Sequence, residues 1–265
     1  MCIFFCTFAD EMATPLFTIL FAFFVQFTDK SGSEQIALSQ AALDKRAERS
    51  IAIDSLDYAV SPMYMDSLEA LGVHIYHSSR WMNGASIETD SNTIRRIAQW
   101  TFVDTIYLTR QRGESAPQNA GVFGDPAEAI RQRGEEAKGE ETTWLSDPQK
   151  EQLQLHLLHE AGFHGQGITM AIVDGGFQNV DTLSAFDAVR EQILGIYDMT
   201  DDSDSVTGTT GNHGVKCFST IAAITPDYQG AATAANYYLI RSEEHKTESP
   251  KEMDNWVAAI ELADS

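Results

Sequence analysis

Two residues of this sequence are best suited to chemistry: an acid that closes an apolar run and a histidine that opens a helix-like stretch. Ala171-Ile172-Val173-Asp174 runs into Gly175-Gly176, and His213 stands within Gly211-Asn212-His213-Gly214. In parallel α/β sheets, sites collect at the carboxyl ends of strands, which is where Asp174 falls. A buried carboxylate there can hold an imidazole in one tautomer and stabilise its protonated form. A histidine titrates near neutral pH and can act as general base. Each residue also has a plain structural reading, Asp174 as a turn cap and His213 as a loop–helix junction residue. Together they would supply two members of a Ser-His-Asp apparatus. No serine of the sequence takes the third place, since Gly208-Thr209-Thr210 precedes the histidine and lacks one.

Other candidates are weaker. His159-Glu160-Ala161-Gly162-Phe163-His164 is one residue longer than a His-Glu-x-x-His zinc pattern. Five positions turn the second histidine away from the first on a helix, and Gly162 is expected to end that helix. His156 and His159 share a face without an evident third ligand, so no metal site is assigned. Asp201, Asp202 and Asp204 lack EF-hand spacing and read as a solvated acidic loop. Gly165-Gln166-Gly167 precedes its strand, which fails the dinucleotide fingerprint.

Composition bounds the class. The formal net charge is −21, with 18 basic against 39 acidic residues, which argues against nucleic acid. Such a balance favours solubility and suits a secreted protein. The apolar share of 43% supports a packed core over most of the 265 residues. Three cysteines, Cys2, Cys6 and Cys217, are too few for a disulfide framework. Leu16 to Phe27 is strongly apolar, yet no Lys or Arg occurs before Lys30. Residues 1–22 are therefore read as a degenerate signal segment merging with a first strand, with a plain buried strand as the alternative. The run is short for a membrane span.

Along the chain, residues 23–110 read as a small α/β unit. Its expected elements are a strand around Phe23 to Thr28, a helix capped by Ser39, and a helix opening at Ser61-Pro62 and ending at Gly72. Short strands at 73–76 and 85–87, a helix capped by Ser91 and a strand at 102–108 follow. Residues 111–150 are rich in Gly, Pro, Gln and Glu and read as an acidic linker open to proteolysis. Residues 151–265 alternate strand and helix. Ile168 to Val173 reads as a strand buried on both faces, with further strands at 193–197 and 237–241. A helix follows His213, and a last one after Pro250 bears Trp256, Val257, Ile260 and Leu262. The expected fold is α/β, a parallel sheet with crossover helices preceded by a small α/β domain.

Taken together, two stretches are more specific than either alone. Residues 165–177 resemble the catalytic-Asp segment of the subtilisin-like serine peptidases, the subtilases of peptidase family S8. Asn212-His213-Gly214 and the small and apolar residues to Ala223 resemble their catalytic-His segment, in the family's order. Gly230-Ala231-Ala232 and Asn236 to Arg241 resemble the strand that comes next. The resemblance implies an incomplete subtilisin-like sheet over 151–265 and a propeptide domain over 23–110 that assists folding and blocks the cleft. It implies a secreted or periplasmic serine endopeptidase precursor acting on polypeptides, with Asp174 orienting His213 and His213 as general base. No cofactor is implied for the chemistry, although structural calcium is compatible with the family. The oxyanion-hole Asn and the Gly-Thr-Ser segment are expected beyond residue 265, so this chain is expected to be a fragment inactive by itself.

The departures are Gly175 for Ser or Thr, Val215 for Thr, and Lys216, a cation beside the histidine. If it points inward, Lys216 would lower the imidazole pKa by like-charge repulsion. Cys217, one turn after His213, resembles the thiol-bearing subtilases, but packing in the core is the reading preferred for it. Two alternatives remain: an inactive subtilase-like binding module, and an unrelated α/β hydrolytic or binding domain. Wide separation of Asp174 and His213 would favour the last.

Overall fold

A computed structural model describes residues 20–111, 147–200, 205–208, 211–244 and 249–265. The segment 1–19, with Cys2 and Cys6, nearly all of the expected linker, and Asp201, Asp202 and Asp204 lie outside the described residues.

The first unit is an antiparallel sheet in the order β2-β3-β1-β4, formed by β1 (Phe21–Phe27), β2 (His74–Ser79), β3 (Gly84–Thr89) and β4 (Val103–Gln111). Val25 pairs with Ala85 on one side and Ile106 on the other. Alternation along β1 sends Val25 and Phe27 to one face, where Leu68, Tyr64, Ile87 and Ile97 close a core. Helices α2 (Pro62–Glu69) and α3 (Ser91–Ile97) supply Tyr64, Leu68 and Ile97. Tyr64 stacks on Phe102 with ring centroids 4.3 Å apart. Ser39 caps α1 (Gln40–Glu48) as expected, its hydroxyl accepting from the Ala42 amide. Asp90 rather than Ser91 caps α3, because its carboxylate reaches the amides of Asn92 and Thr93.

Gly84 opens β3 opposite Gln26 of the neighbouring β1. A Cβ there would lie 2.4 Å from the Val25 carbonyl oxygen and 2.7 Å from the Phe24 ring. Gly84→Ala is therefore expected to lower stability by about 2 kcal/mol or more, since the obstacle is backbone. Urea unfolding monitored by circular dichroism checks this, and an unchanged midpoint would contradict it.

The second unit is a parallel sheet in the order β5-β9-β6, made of β5 (Thr169–Asp174), β6 (Ile193–Asp198) and β9 (Asn236–Arg241). Asp174 and Asp198 both stand level with Arg241, so the three strands finish together. Arg241, nearly fully buried, donates to Asp198 at 3.0 Å. Helix α6 (His213–Ala222) and a 3-10 helix (Ser184–Gln192) cover one face. Phe218 is the centre of that core, stacked on Phe186 at 4.9 Å and edge-on to Tyr237 at 4.8 Å. A small hairpin of β7 (Ile224–Thr225) and β8 (Tyr228–Gln229) follows α6.

The expectation that β5 is buried on both faces is corrected. Thr169 and Ala171 are exposed. With Tyr238 and Ile240 they line an open cavity of about 580 Å³, bounded by α1 and by the end of α7 (Lys251–Asp264). The segment before β5 is two short helices, α4 (Asp147–Gln152) and α5 (Leu155–Glu160), broken at Gln154 in left-handed backbone. Leu153, Leu157 and Leu158 are consequently exposed.

Helix α7 joins the two units through polar groups. Its buried residues are Lys251, Asn255, Ala258, Ala259 and Glu261, whereas Trp256 is half exposed. Glu261 accepts from the Ser79 hydroxyl at 2.6 Å and from the amides of Arg80 at 3.0 Å and Trp81 at 3.2 Å. Arg80 donates to Asp264 at 2.9 Å, and Arg46 bridges Asp264 and Asp57 at 2.8 Å each. Ser86 donates to Asp254 at 2.9 Å, and the Lys251 ammonium sits 4.0 Å from the centre of the Tyr76 ring.

Two titratable groups at this contact oppose one another. Burial pushes the Asp254 carboxyl up to about 6, with the Ser86 hydrogen bond and the Lys251 charge pulling only partly back. Burial, helped by the charge of Lys251, pushes His77 down to about 4. A carboxyl raised on folding makes the protein more stable as pH falls from about 6 toward its unfolded value. A histidine lowered on folding makes it less stable as pH falls from about 6.5 toward 4. The two largely cancel in the wild type. In His77→Gln, stability is expected to rise on acidification between pH 6 and 4. In Asp254→Asn it is expected to fall over the same range, each change being on the order of 2 kcal/mol. Urea unfolding at stepped pH checks both, and parallel slopes in the two variants would contradict the assignment.

Candidate active site

Asp174 ends β5, and its position at the carboxyl edge follows from the strand register with β9. Its Oδ1 accepts from the Gly175 amide at 2.6 Å, which fixes the carboxylate against the turn. His213 is the first residue of α6 and points its Nδ1 at that carboxylate, 2.8 Å from Oδ1 and 3.0 Å from Oδ2. With an ionised acceptor, Nδ1 carries the hydrogen and donates it. Nε2 is left as the acceptor nitrogen on a side chain that is 74% exposed, whereas Asp174 is buried. The structure thus brings together the two residues singled out in the sequence, and the distance removes the reason to prefer an unrelated domain.

Close packing makes the juxtaposition possible. A Cβ on Gly214 would lie 2.6 Å from the Gly176 carbonyl oxygen and 3.0 Å from both Asp174 Cβ and the Phe177 ring. The bare glycine lets α6 approach the end of β5 closely, and the Val215 amide then donates to the Gly176 carbonyl at 3.2 Å. Gly176 has φ +139°, within the range that favours glycine. Gly175 is different. A Cβ there would approach only Glu243, its flexible carboxylate at 3.2 Å, so the pair does not depend on a glycine at this position. Lys216 is exposed.

Cys217 is misplaced by sequence reasoning. It is half-buried rather than packed in the core, with Sγ 3.7 Å from His213 Nδ1 and 3.9 Å from Nε2. Burial, then the charge of Asp174 and a hydrogen bond to it, raise the thiol pKa. The spacing of four residues from His213 on one helix was the available signal. Asp174 and this thiol are the hydrogen-bond partners of His213 among the described residues, and no serine is one.

The histidine-rich segment also differs from expectation. The chain reverses at Gly162, φ +85°, and stacks the His164 ring on His159 at 4.6 Å instead of turning it away. His159 Nε2 is already engaged by the Ala231 carbonyl at 2.9 Å.

Residues 22–121 match the model of the peptidase S8 propeptide domain of Bacteroidota. The sequence has no match among curated proteins. Among solved structures, the epidermin leader peptide processing serine protease (EpiP) of Staphylococcus aureus is similar at 10% identity and TM-score 0.47, over 88% of this chain and 45% of that one. Its S393A mutant gives 9% and 0.40, over 90% and 47%. The chain thus spans less than half the length of these structures. The fold is α/β, with a four-stranded antiparallel sheet, a three-stranded parallel sheet and a two-stranded antiparallel hairpin among the described residues. Over residues 22–121 the chain is similar to the peptidase S8 propeptide domain, and that likeness agrees with the resemblance to the subtilisin-like S8 peptidases seen in the sequence.

Proposed function

We propose that this chain supplies the propeptide and the Asp-His half of a secreted or periplasmic subtilisin-like serine endopeptidase. The observation that carries the proposal is the Nδ1 hydrogen bond from His213 to buried Asp174, which leaves Nε2 open to solvent. In that role Nε2 takes the proton from a serine hydroxyl as it attacks a peptide carbonyl, then returns it to the leaving amine. Asp174 holds the tautomer and stabilises the imidazolium. Among the described residues, no serine is a hydrogen-bond partner of the His213 ring. The first sheet would act as an intramolecular inhibitor held by its polar contacts with α7.

The test uses the longest natural product containing this chain, assayed on a casein-type substrate and with a fluorophosphonate. Hydrolysis and labelling are expected. Asp174→Asn is expected to lower kcat on the order of 10⁴-fold, with little change in KM. The 265-residue chain by itself is expected to resist labelling. Labelling of that chain at one equivalent, or full activity in Asp174→Asn, would overturn the proposal. Inertness of the longer product would support the inactive binding module instead.

A further inference from the structure

Asp174, His213 and Cys217 place one oxygen, one nitrogen and one sulfur ligand atom within 4.8 Å of one another. Two hydrogens, on His213 Nδ1 and on the Cys217 thiol, face the same carboxylate. We propose that this cluster is a binding site for a soft divalent cation of the zinc and cadmium class, which replaces those hydrogens. The proposal rests on the three side chains and not on peptidase activity.

The spacing suits such an ion. Ligands at ~2.0 Å (N, O) and ~2.3 Å (S) from a tetrahedral centre lie ~3.5 Å apart. Nitrogen and sulfur are already 3.7 Å apart, and nitrogen and oxygen, at 2.8 to 3.0 Å, need open only slightly. The ligands come from a strand end and two positions one turn apart on α6, so little backbone ordering is required. His213 is exposed, which leaves an entry path and a fourth position for water. Glu243 lies close enough for its charge to act on the thiol, and that negative charge favours a cation as well. The Cys, His and Asp donor set favours zinc and cadmium over calcium or magnesium.

Proton balance is specific. The thiol loses one proton to solvent on binding. An imidazole that ligates through Nδ1 moves its hydrogen from Nδ1 to Nε2 with no net release. About one proton therefore leaves per ion bound. In an intact peptidase the occupied site would remove Nε2 as a base, which would make the ion an inhibitor.

The test titrates Cd²⁺, then Zn²⁺, into the full 265-residue chain with Cys2 and Cys6 replaced by Ser, so that Cys217 alone reports. A near-ultraviolet sulfur-to-cadmium absorption at one equivalent is expected, with release of about one proton by calorimetry in two buffers. Cys217→Ser is expected to abolish the band, and Asp174→Asn to weaken binding at least tenfold. Zn²⁺ is expected to slow alkylation of Cys217 by iodoacetamide at least tenfold in the parent, which reads the site without any variant that fails to fold. No band in the parent, or a band and protection that survive in His213→Ala, would overturn the proposal. Failure of the peptidase assays with intact cadmium binding would refute the function and leave this site standing.

Discussion

Gly214→Val is expected to destroy the Asp174–His213 contact and to unfold the second unit at moderate urea. The added side chain would begin 2.6 Å from a backbone carbonyl oxygen and 3.0 Å from Asp174 Cβ, on a residue nine-tenths buried. Neither obstacle can rotate away. Relief requires α6 to withdraw from β5, which opens the packing around Phe218 and Phe177, both fully buried. Overpacking in a tight core costs about 1–3 kcal/mol, and the backbone obstacle places this site at or above the top of that range. Val215→Ala, one residue on, removes two methyl groups without a clash and is expected to cost about 1–2 kcal/mol. Paired urea curves for the two variants check the claim. Equal losses would mean that close approach at Gly214 is not what sets the pair.

Glu261→Ala is expected to separate the first sheet from α7 at a cost of about 4 kcal/mol. The carboxylate accepts three hydrogen bonds, from the Ser79 hydroxyl and from the amides of Arg80 and Trp81. Ser79 and Arg80 are buried, so alanine leaves donors without acceptors, at roughly 1–3 kcal/mol each. The Arg80 guanidinium, 3.8 Å from the same carboxylate, also loses part of its neutralisation. Glu261→Gln keeps one acceptor oxygen and is expected to lose about half as much. Urea unfolding followed by tryptophan fluorescence checks the loss. A loss below about 1 kcal/mol in the alanine variant would show that the apolar contacts of α7 suffice.

Much of the arrangement was legible because local chemistry and tertiary structure agree. The Ser39 cap, proline at the start of α2, and glycine after the Asp174 strand each act within a few residues. Asp174 and His213 were legible through their order and glycine context, although nothing local fixes a distance between them. Other features depended on partners distant in sequence. The buried face of α7 is polar because Glu261 and Asp254 answer Ser79, Arg80 and Ser86 of the other unit, which no helical periodicity discloses. The exposed face of β5 depends on what else packs against the sheet, not on the apolar residues of the strand itself. Cys217 was misread because an apolar helix suggests burial, whereas its rotation about α6 places it beside His213.

Asp174 holds His213 with hydrogen on Nδ1 and leaves Nε2 facing solvent, able to accept a proton. Nitrogen-15 chemical shifts of the His213 ring, recorded on the 265-residue chain at pH 8, test it directly. A protonated, donor-like Nδ1 and an unprotonated Nε2 are expected, with that pattern lost in Asp174→Asn. Hydrogen on Nε2 in the wild-type chain, or an identical spectrum in the variant, would contradict it.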